Sequence, residues 1–99
     1  MNLYYIIISD EAMEDIDSIV DYIHSELKEA FTAQQYYDGV IHTIQKLSFC
    51  AGSIGFNTYV QSMFGKKARH INYKKTAIIY IISKDVVYIT RIIASSLIH

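Results

Sequence analysis

The stretch from Gly65 to Ile98, GKKARHINYKKTAIIYIISKDVVYITRIIASSLI, contains three apolar runs separated by short polar breaks. The runs cover residues 68–73, 76–82 and 86–93, and they are rich in Ile, Val and Tyr. Runs of this kind, with breaks of only two or three residues, are typical of antiparallel strands joined by tight hairpins. The stretch therefore predicts a three-stranded antiparallel meander.

The polarity pattern within each run predicts how the strands are covered. The middle run, at 77–82, has no polar alternation, which predicts a central strand covered on both faces. The first run alternates, so that Arg69, Ile71 and Tyr73 share one predicted face. In the third run, one predicted face consists of Val87, Ile89, Arg91 and Ile93.

The first half of the chain predicts a strand followed by two helices. Residues 3–8 are a short run of Tyr, Ile and Leu, and Ser9 after them can cap a helix. Apolar residues then recur at helical spacing over 10–28, and a second apolar stripe extends from a cap at Thr32 to Leu47. Because the break between the two stripes is short, we expect the helices to lie antiparallel as a helical hairpin.

The region 48–64 has no clean period. Gly52, Gly55 and Asn57 indicate a loop, although residues 58–60 have the composition of a short edge strand. Connections of this length, about 17 residues, are uncommon in small domains unless they bind something or move. The sequence therefore predicts a binding loop or a mobile loop here.

Length and composition predict one cytoplasmic domain over residues 1–99. The chain is large enough for one core and too small for two. Its hydrophobic fraction is 52%, yet its apolar runs are far shorter than the roughly 20 residues that span a bilayer. The start of the chain does not have the pattern of a signal peptide. An apolar exterior of this extent predicts a partner surface.

The net charge of −1 conceals a split between the two parts of the chain. Residues 1–65 carry nine acidic and two basic side chains, whereas residues 66–99 carry seven basic and one acidic. The basic part predicts either contact with a polyanion or an acidic peptide, or lysines that protect the edges of a sheet. The candidate contact residues for a target or a partner are Lys66, Lys67, Tyr73, Lys74 and Lys75.

The chain has neither paired Cys and His at zinc-ligand spacing nor a glycine-rich phosphate loop before a helix. The sequence therefore predicts no metal and no cofactor. The chemistry that remains is basic and aromatic, on the predicted sheet.

The order of these elements resembles the RelE/ParE superfamily of bacterial type II toxins. The resemblance lies in IIISDEAMEDIDSIVDYI at 6–23, in LSF at 47–49 and in ARHINYKKTAIIYIISKDVVYITRII at 68–93. It implies an α+β fold with the helical hairpin packed on a mostly antiparallel sheet. It also implies a toxin that a cognate antitoxin neutralises. ParE-like members poison DNA gyrase, and RelE-like members cleave mRNA on the ribosome.

The resemblance leaves three interpretations of function. The first is a ParE-like toxin, of the plasmid stabilisation type, that inhibits growth by binding a macromolecular target such as gyrase. The second is a RelE-like ribosome-dependent endoribonuclease in which Arg69 and Arg91 are the catalytic residues, with the nearby lysines and His99 as further candidates. The third is a degenerate family member without toxicity. Whether the chain is an enzyme is therefore left open by the sequence, and self-association is expected when the antitoxin is absent.

The first interpretation leads because of two departures from the nuclease branch. Ala77 stands where that branch presents an Arg on the middle strand. The tail at 94–99 has only a terminal His, where the branch carries a basic or His/Tyr-containing tail after its last strand. A ribonuclease must stabilise charge on the phosphate and transfer protons, so these losses favour a toxin that binds.

Overall fold

The computed structural model describes residues 3–99. Its strands are β1 (Tyr5–Ile8), β2 (Arg69–Tyr73), β3 (Thr76–Ser83) and β4 (Val86–Ala94). Its helices are α1 (Asp10–Ser25), α2 (Ala30–Cys50) and α3 (Thr58–Phe64), with short 3-10 turns at Ala51–Ser53 and Ser95–Leu97. No helix in the described part of the chain combines the length and the hydropathy needed to cross a membrane.

The four strands form one mixed sheet in the order β1-β4-β3-β2. Strands β2, β3 and β4 are antiparallel neighbours, as predicted, and β1 lies parallel to β4. The residues from Thr76 to Tyr80 in β3 are all buried, which confirms the prediction of a central strand covered on both faces. The α+β class and the order of strand, helical hairpin and meander are also as predicted, with one additional helix, α3, before β2.

The helical hairpin covers one face of the sheet, called here the hairpin face. The hydroxyl oxygen of Ser9 accepts a hydrogen bond from the amide of Ala12 at 3.1 Å, so Ser9 caps α1 as predicted. Helix α1 ends at Ser25 rather than at the predicted Lys28. The cause is local: Lys28 has a φ of 52°, and a residue in the left-handed region cannot continue an α-helix.

Two apolar clusters hold the layers together. The larger lies between the hairpin and the sheet, and its fully buried members include Ile16, Val40, Leu47, Ile78 and Tyr80. The smaller lies on the opposite face, where α3 covers part of the sheet; this side is called the α3 face. Its buried members are Val60, Ala68, Ala77 and Ile79, with Phe64 and Ile98 packed around them.

The prediction of a loop over 48–64 is wrong for most of that region. Helix α2 continues to Cys50, and residues 58–64 form α3 instead of an edge strand. The side-chain oxygen of Asn57 accepts a hydrogen bond from the amide of Val60 at 2.9 Å and caps α3. Val60 and Phe64, four residues apart, then pack on one side of the helix against the sheet. The cap and this burial outweigh the strand propensity of Thr58 and Val60.

The prediction that Val87, Ile89, Arg91 and Ile93 share a face of β4 is also wrong. Ile79 pairs with Arg91, but Tyr80 pairs with Ile89, so Thr90 is an extra residue in β4. A bulge of this kind reverses the alternation of side chains beyond it. Val87 and Ile89 accordingly pack in the larger cluster, whereas Ile93 packs in the smaller one.

Candidate functional site

Arg69 binds the segment that follows α2. Its Nη1 atom donates to the carbonyl oxygens of Ile54 at 2.8 Å, Gly52 at 3.0 Å and Ala51 at 3.3 Å. Its guanidinium carbon lies 4.2 Å from the centre of the Phe56 ring, at cation–π distance. This predicted catalytic residue therefore holds residues 51–56 against the sheet.

Tyr80 binds the same segment from beneath. Its hydroxyl donates to the carbonyl oxygen of Ala51 at 2.9 Å, and its side chain is fully buried. Burial raises the pKa of Tyr80 to about 12, although the nearby positive charge of Arg69 acts in the opposite direction. The hydroxyl therefore stays protonated at neutral pH, where it serves as a hydrogen-bond donor and not as a base.

Arg91, the other predicted catalytic residue, binds α1. Its Nε and Nη2 atoms donate to the two oxygens of the Asp15 carboxylate at 2.8 and 3.1 Å. The same carboxylate accepts a hydrogen bond from the amide of Ile92 at 2.9 Å, beyond the end of β1. Hydrogen bonding to Asp15 raises the pKa of Arg91, with the charges of Asp15 and Glu11 adding to it. Arg91 thus joins the first helix to β4.

The structure does not bring Arg69 and Arg91 together. They lie on the strands either side of β3, and each is bound to a different segment of the chain. Residues 3–99 form no pocket around either guanidinium. Within the same residues, no group of three His, Cys, Asp or Glu side chains is placed to ligate a metal ion.

The four lysines of the predicted contact set form two separate pairs. Lys66 and Lys67 lie before the start of β2, and Lys74 and Lys75 form the two-residue turn after its end. All four side chains are exposed. A strand rises about 3.3 Å per residue, which separates the pairs by roughly 20 Å. That separation exceeds the Debye length of about 8 Å at physiological salt, so the pairs act as two independent basic points.

Tyr73, the fifth residue of that set, packs against α2. Its ring lies over Gly39, and its centroid is 6.0 Å from that of Tyr36. The Lys74 ammonium lies 5.5 Å from the centre of the same ring. Tyr73 is half-buried, so only part of the ring is accessible beside the Lys74–Lys75 pair.

An uncovered apolar area lies on the α3 face, along β1 and β4. Its members are Tyr5, Ile7, Ile81, Val86 and Tyr88, called here the open strip. Ile7, Tyr88 and Ile81 lie side by side on three adjacent strands. Tyr5 is 71% exposed and Ile7 is 47% exposed. The sequence predicted a partner surface without locating it.

The rest of the α3 face is covered by α3 and the C-terminal residues. Val60 and Phe64 of α3 and Ile98 of the tail pack against Ala77 and Ile79. The rings of Tyr59 and His99 meet edge to face with centroids 5.0 Å apart, which joins the tail to α3. This cover stops short of β1, and so it leaves the open strip exposed.

No protein-family model matches the chain, and no curated protein matches it in sequence. Among solved structures, the chain is similar to one from the chromosomal ParDE toxin–antitoxin system of P. aeruginosa. The TM-score is 0.78 and the sequence identity is 15%, with 93% of this chain and 96% of that chain covered. The chain has a ParE-like fold. The predicted RelE/ParE architecture is therefore confirmed at the level of the fold.

The open strip and the paired lysines are thus surface features of a ParE-like fold. The strip lies on the face opposite the helical hairpin, and the lysine pairs lie at the two ends of an edge strand. Both have the chemistry of binding surfaces: one apolar, and the other basic.

Proposed function

We propose that this chain is the toxin of a bacterial type II toxin–antitoxin system of the ParE type. In this proposal it inhibits growth from the cytoplasm by binding a macromolecular target, DNA gyrase in the first instance, and a cognate antitoxin holds it inactive. The observation that supports the proposal is the similarity to a chain of a ParDE toxin–antitoxin system over nearly the full length of both chains.

The open strip supports the antitoxin part of this proposal. Monomeric proteins rarely expose large contiguous apolar areas, and such areas usually bind a partner. Tyr5, Ile7 and Tyr88 offer aromatic and aliphatic side chains in adjacent rows. An antitoxin segment with apolar side chains on one side, either a strand or an amphipathic helix, has the chemistry to cover them.

The proposed mode of action is binding rather than catalysis. Nη1 of Arg69 donates to three carbonyl oxygens and Arg91 is paired with a carboxylate, so both guanidinium groups already hold segments of the fold in place. Ala77 is fully buried beneath α3. The loss of one charged transition-state contact typically lowers a rate by about 10²- to 10³-fold. Loss of a placed acid or base costs roughly 10²- to 10⁴-fold more.

The proposal is tested by expressing the chain in bacteria with and without the product of the neighbouring open reading frame. We expect growth arrest that the neighbouring product relieves, with filamentous cells and broken chromosomes. Mapping of mRNA 5′ ends on ribosomes should show no cuts at the ribosomal A site. Such cuts would favour the endoribonuclease, and a chain that neither arrests growth nor binds the neighbour would favour the non-toxic family member.

Two matched variants test the surface. Tyr88→Lys places a charge in the open strip, whereas Tyr22→Lys places one on α1 at a side chain that is 57% exposed. We expect Tyr88→Lys to weaken binding of the neighbouring product and Tyr22→Lys to leave it unchanged. Equal effects of the two variants would mean that the antitoxin does not contact the strip.

A further inference from the structure

From Ile6 to Ile8, the outer side of the β1 backbone has no hydrogen-bond partner among residues 3–99, whereas the amide of Tyr4, just before the strand, donates to the carbonyl of Ser48 at the end of α2. The amide of Tyr5 donates to the carbonyl of Asp85 at 2.8 Å, and that of Ser9 donates to the carbonyl of Ile89 at 2.9 Å. In a parallel pair, alternate residues direct both backbone groups at the neighbouring strand. The groups of Tyr5, Ile7 and Ser9 therefore face β4, and those of Ile6 and Ile8 lie along the outer edge of the sheet.

This edge lacks the features that usually prevent strands from pairing between molecules. Residues Tyr5–Ile8 have the sequence YIII, with no charged residue, proline, glycine or bulge. The opposite edge, β2, contains Arg69 and has a lysine pair at each end. Within the strand itself, therefore, β2 carries a charge and β1 carries none.

We propose that a second copy of this chain pairs with β1, through an antiparallel arrangement of the two β1 strands about a twofold axis at Ile7. Each Ile6 then lies opposite Ile8 of the other copy, and the open backbone groups satisfy one another. The two four-stranded sheets become one continuous sheet. This inference does not depend on the proposed toxin function.

The twofold axis places the apolar side chains of β1 in one copy against the same side chains in the other copy. Ile7 lies opposite Ile7 of the second copy in a non-hydrogen-bonded pair, where the Cα atoms are about 4.5 Å apart. Because Ile7 pairs in register with Tyr88, the row of side chains across the axis is Tyr88, Ile7, Ile7, Tyr88. Side chains that are exposed in one copy thus gain apolar neighbours in two.

The charges at the two ends of β1 favour an antiparallel arrangement with a second copy. Asp10 and Glu11 follow the end of β1, and the turn of Lys84 and Asp85 lies beside its start. An antiparallel pair places the acidic end of one copy beside the turn of the other, which carries a cation and an anion. A parallel pair would instead bring the two acidic ends together and is therefore disfavoured.

The expected dimer is weak. Stable interfaces usually bury about 1,200–2,000 Å² in total, and an edge of four residues with its flanking side chains provides less. We therefore expect association that is visible at high protein concentration and is lost on dilution.

A disulfide test reports the register directly. In a Cys50→Ser background, Ile7→Cys should form an oxidised dimer, because a Cα separation of about 4.5 Å fits a disulfide. Tyr5→Cys in the same background is the control. Residue 5 lies opposite residue 9 of the other copy, so the Cα atoms of residue 5 in the two copies are about 14 Å apart, beyond the limit of about 7 Å. Equal cross-linking of the two variants would overturn the proposal.

Charged substitutions at Ile7 test whether this residue lies on the twofold axis of the dimer. Ile7→Lys and Ile7→Glu should each be monomeric in sedimentation velocity at concentrations where the wild type dimerises, and an equimolar mixture should dimerise again. Tyr22→Lys should behave as the wild type. Thermal melts of every variant identify any that has not folded. A wild type that stays monomeric, or an Ile7→Lys variant that still dimerises, overturns the proposal. A strictly monomeric wild type that binds the neighbouring gene product, with binding lost in Ile7→Lys and kept in Tyr22→Lys, would assign the edge to that partner.

Discussion

The ring of Tyr73 on β2 lies against the backbone of Gly39 on α2, in the space that a side chain at residue 39 would fill. A Cβ atom built on Gly39 overlaps the hydroxyl oxygen and two carbons of the ring. The ring also meets that of Tyr36 at an interplanar angle of 58°. Gly39 is thus a point of contact between α2 and the edge strand, and its lack of a side chain permits the contact.

Replacement of Gly39 by Ala should therefore destabilise the protein. Alanine in a helix interior gains about 1 kcal/mol relative to glycine, but overpacking a filled space costs about 1–3 kcal/mol. We expect a net loss of stability in urea denaturation. Gly55→Ala is the matched control, because nothing lies within 4 Å of a Cβ atom built there.

A double-mutant cycle separates this contact from a general effect on the helix. In a Tyr73→Val background the overlapping ring atoms are gone, so Gly39→Ala should become neutral or stabilising. If the changes in unfolding free energy caused by the two substitutions simply add, then the Tyr73 ring is not the reason that residue 39 must be glycine.

Arg69 should be important for stability rather than for chemistry. Arg69→Ala removes the donor to three carbonyl oxygens and the contact with Phe56, so we expect a loss of roughly 1–3 kcal/mol. Arg69→Lys should recover little of it, because an ammonium lacks the planar guanidinium. Amide hydrogen exchange over residues 51–56 should accelerate in both variants and stay unchanged in Lys67→Ala. An Arg69→Ala variant with normal stability and exchange but no growth arrest would make Arg69 a functional residue.

The sequence was sufficient for the strands and the helical hairpin because each follows from short-range periodicity. The uninterrupted apolar run in β3 and the apolar stripes in α1 and α2 indicate directly which side chains are buried. Helix α3 was missed because Thr58, Tyr59 and Val60 favour strand, and glycines surround the segment. Asn57, with Val60 and Phe64 four residues apart, was the available signal.

The surface features were harder to predict because they depend on which strands are neighbours. The bulge at Thr90 appears only in the pairing of β3 with β4, and the open strip appears only once β1 is placed beside β4. The role of Arg69 depends on main-chain carbonyl oxygens 15–18 residues away, which no side-chain pattern encodes. The basic residues of 66–75 are close in sequence, but an extended strand separates them into two pairs.

His70 should make the folded state less stable in mild acid. Among residues 3–99, its buried Nδ1 atom has no hydrogen-bond partner, and burial lowers the pKa of the ring. As the pH falls through the unfolded value of 6.5, the unfolded chain binds the proton first and stability decreases. The decrease ends once the pH is below the lowered pKa of the folded state.

The measurement is the free energy of unfolding as a function of pH for His70→Phe and for a control, His42→Gln. His42 is exposed on α2, so its replacement should preserve the decrease below pH 6.5. His70→Phe should reduce it. The same pH profile in the wild type and in His70→Phe would contradict the assignment.

The two lysine pairs should contribute separately to binding. The pairs lie roughly 20 Å apart at the two ends of β2. Substitution in one pair should therefore leave the electrostatic potential at the other pair largely unchanged. We expect Lys74→Glu with Lys75→Glu to weaken target or antitoxin binding roughly tenfold at low salt, which corresponds to about 1.4 kcal/mol. The stability of the fold should change little, since both side chains are exposed in a turn.

Lys66→Glu with Lys67→Glu is the matched control, since it makes the same change of charge at the other end of the strand. Affinities measured from low to physiological salt decide which pair meets the partner. The pair in contact should lose both affinity and salt dependence when its charges are reversed, and the distant pair should lose neither. If both pairs matter, their effects should add, because the sites are too far apart to be coupled. If neither substitution nor salt changes binding, then the apolar open strip, and not the lysines, is the surface that the partner contacts.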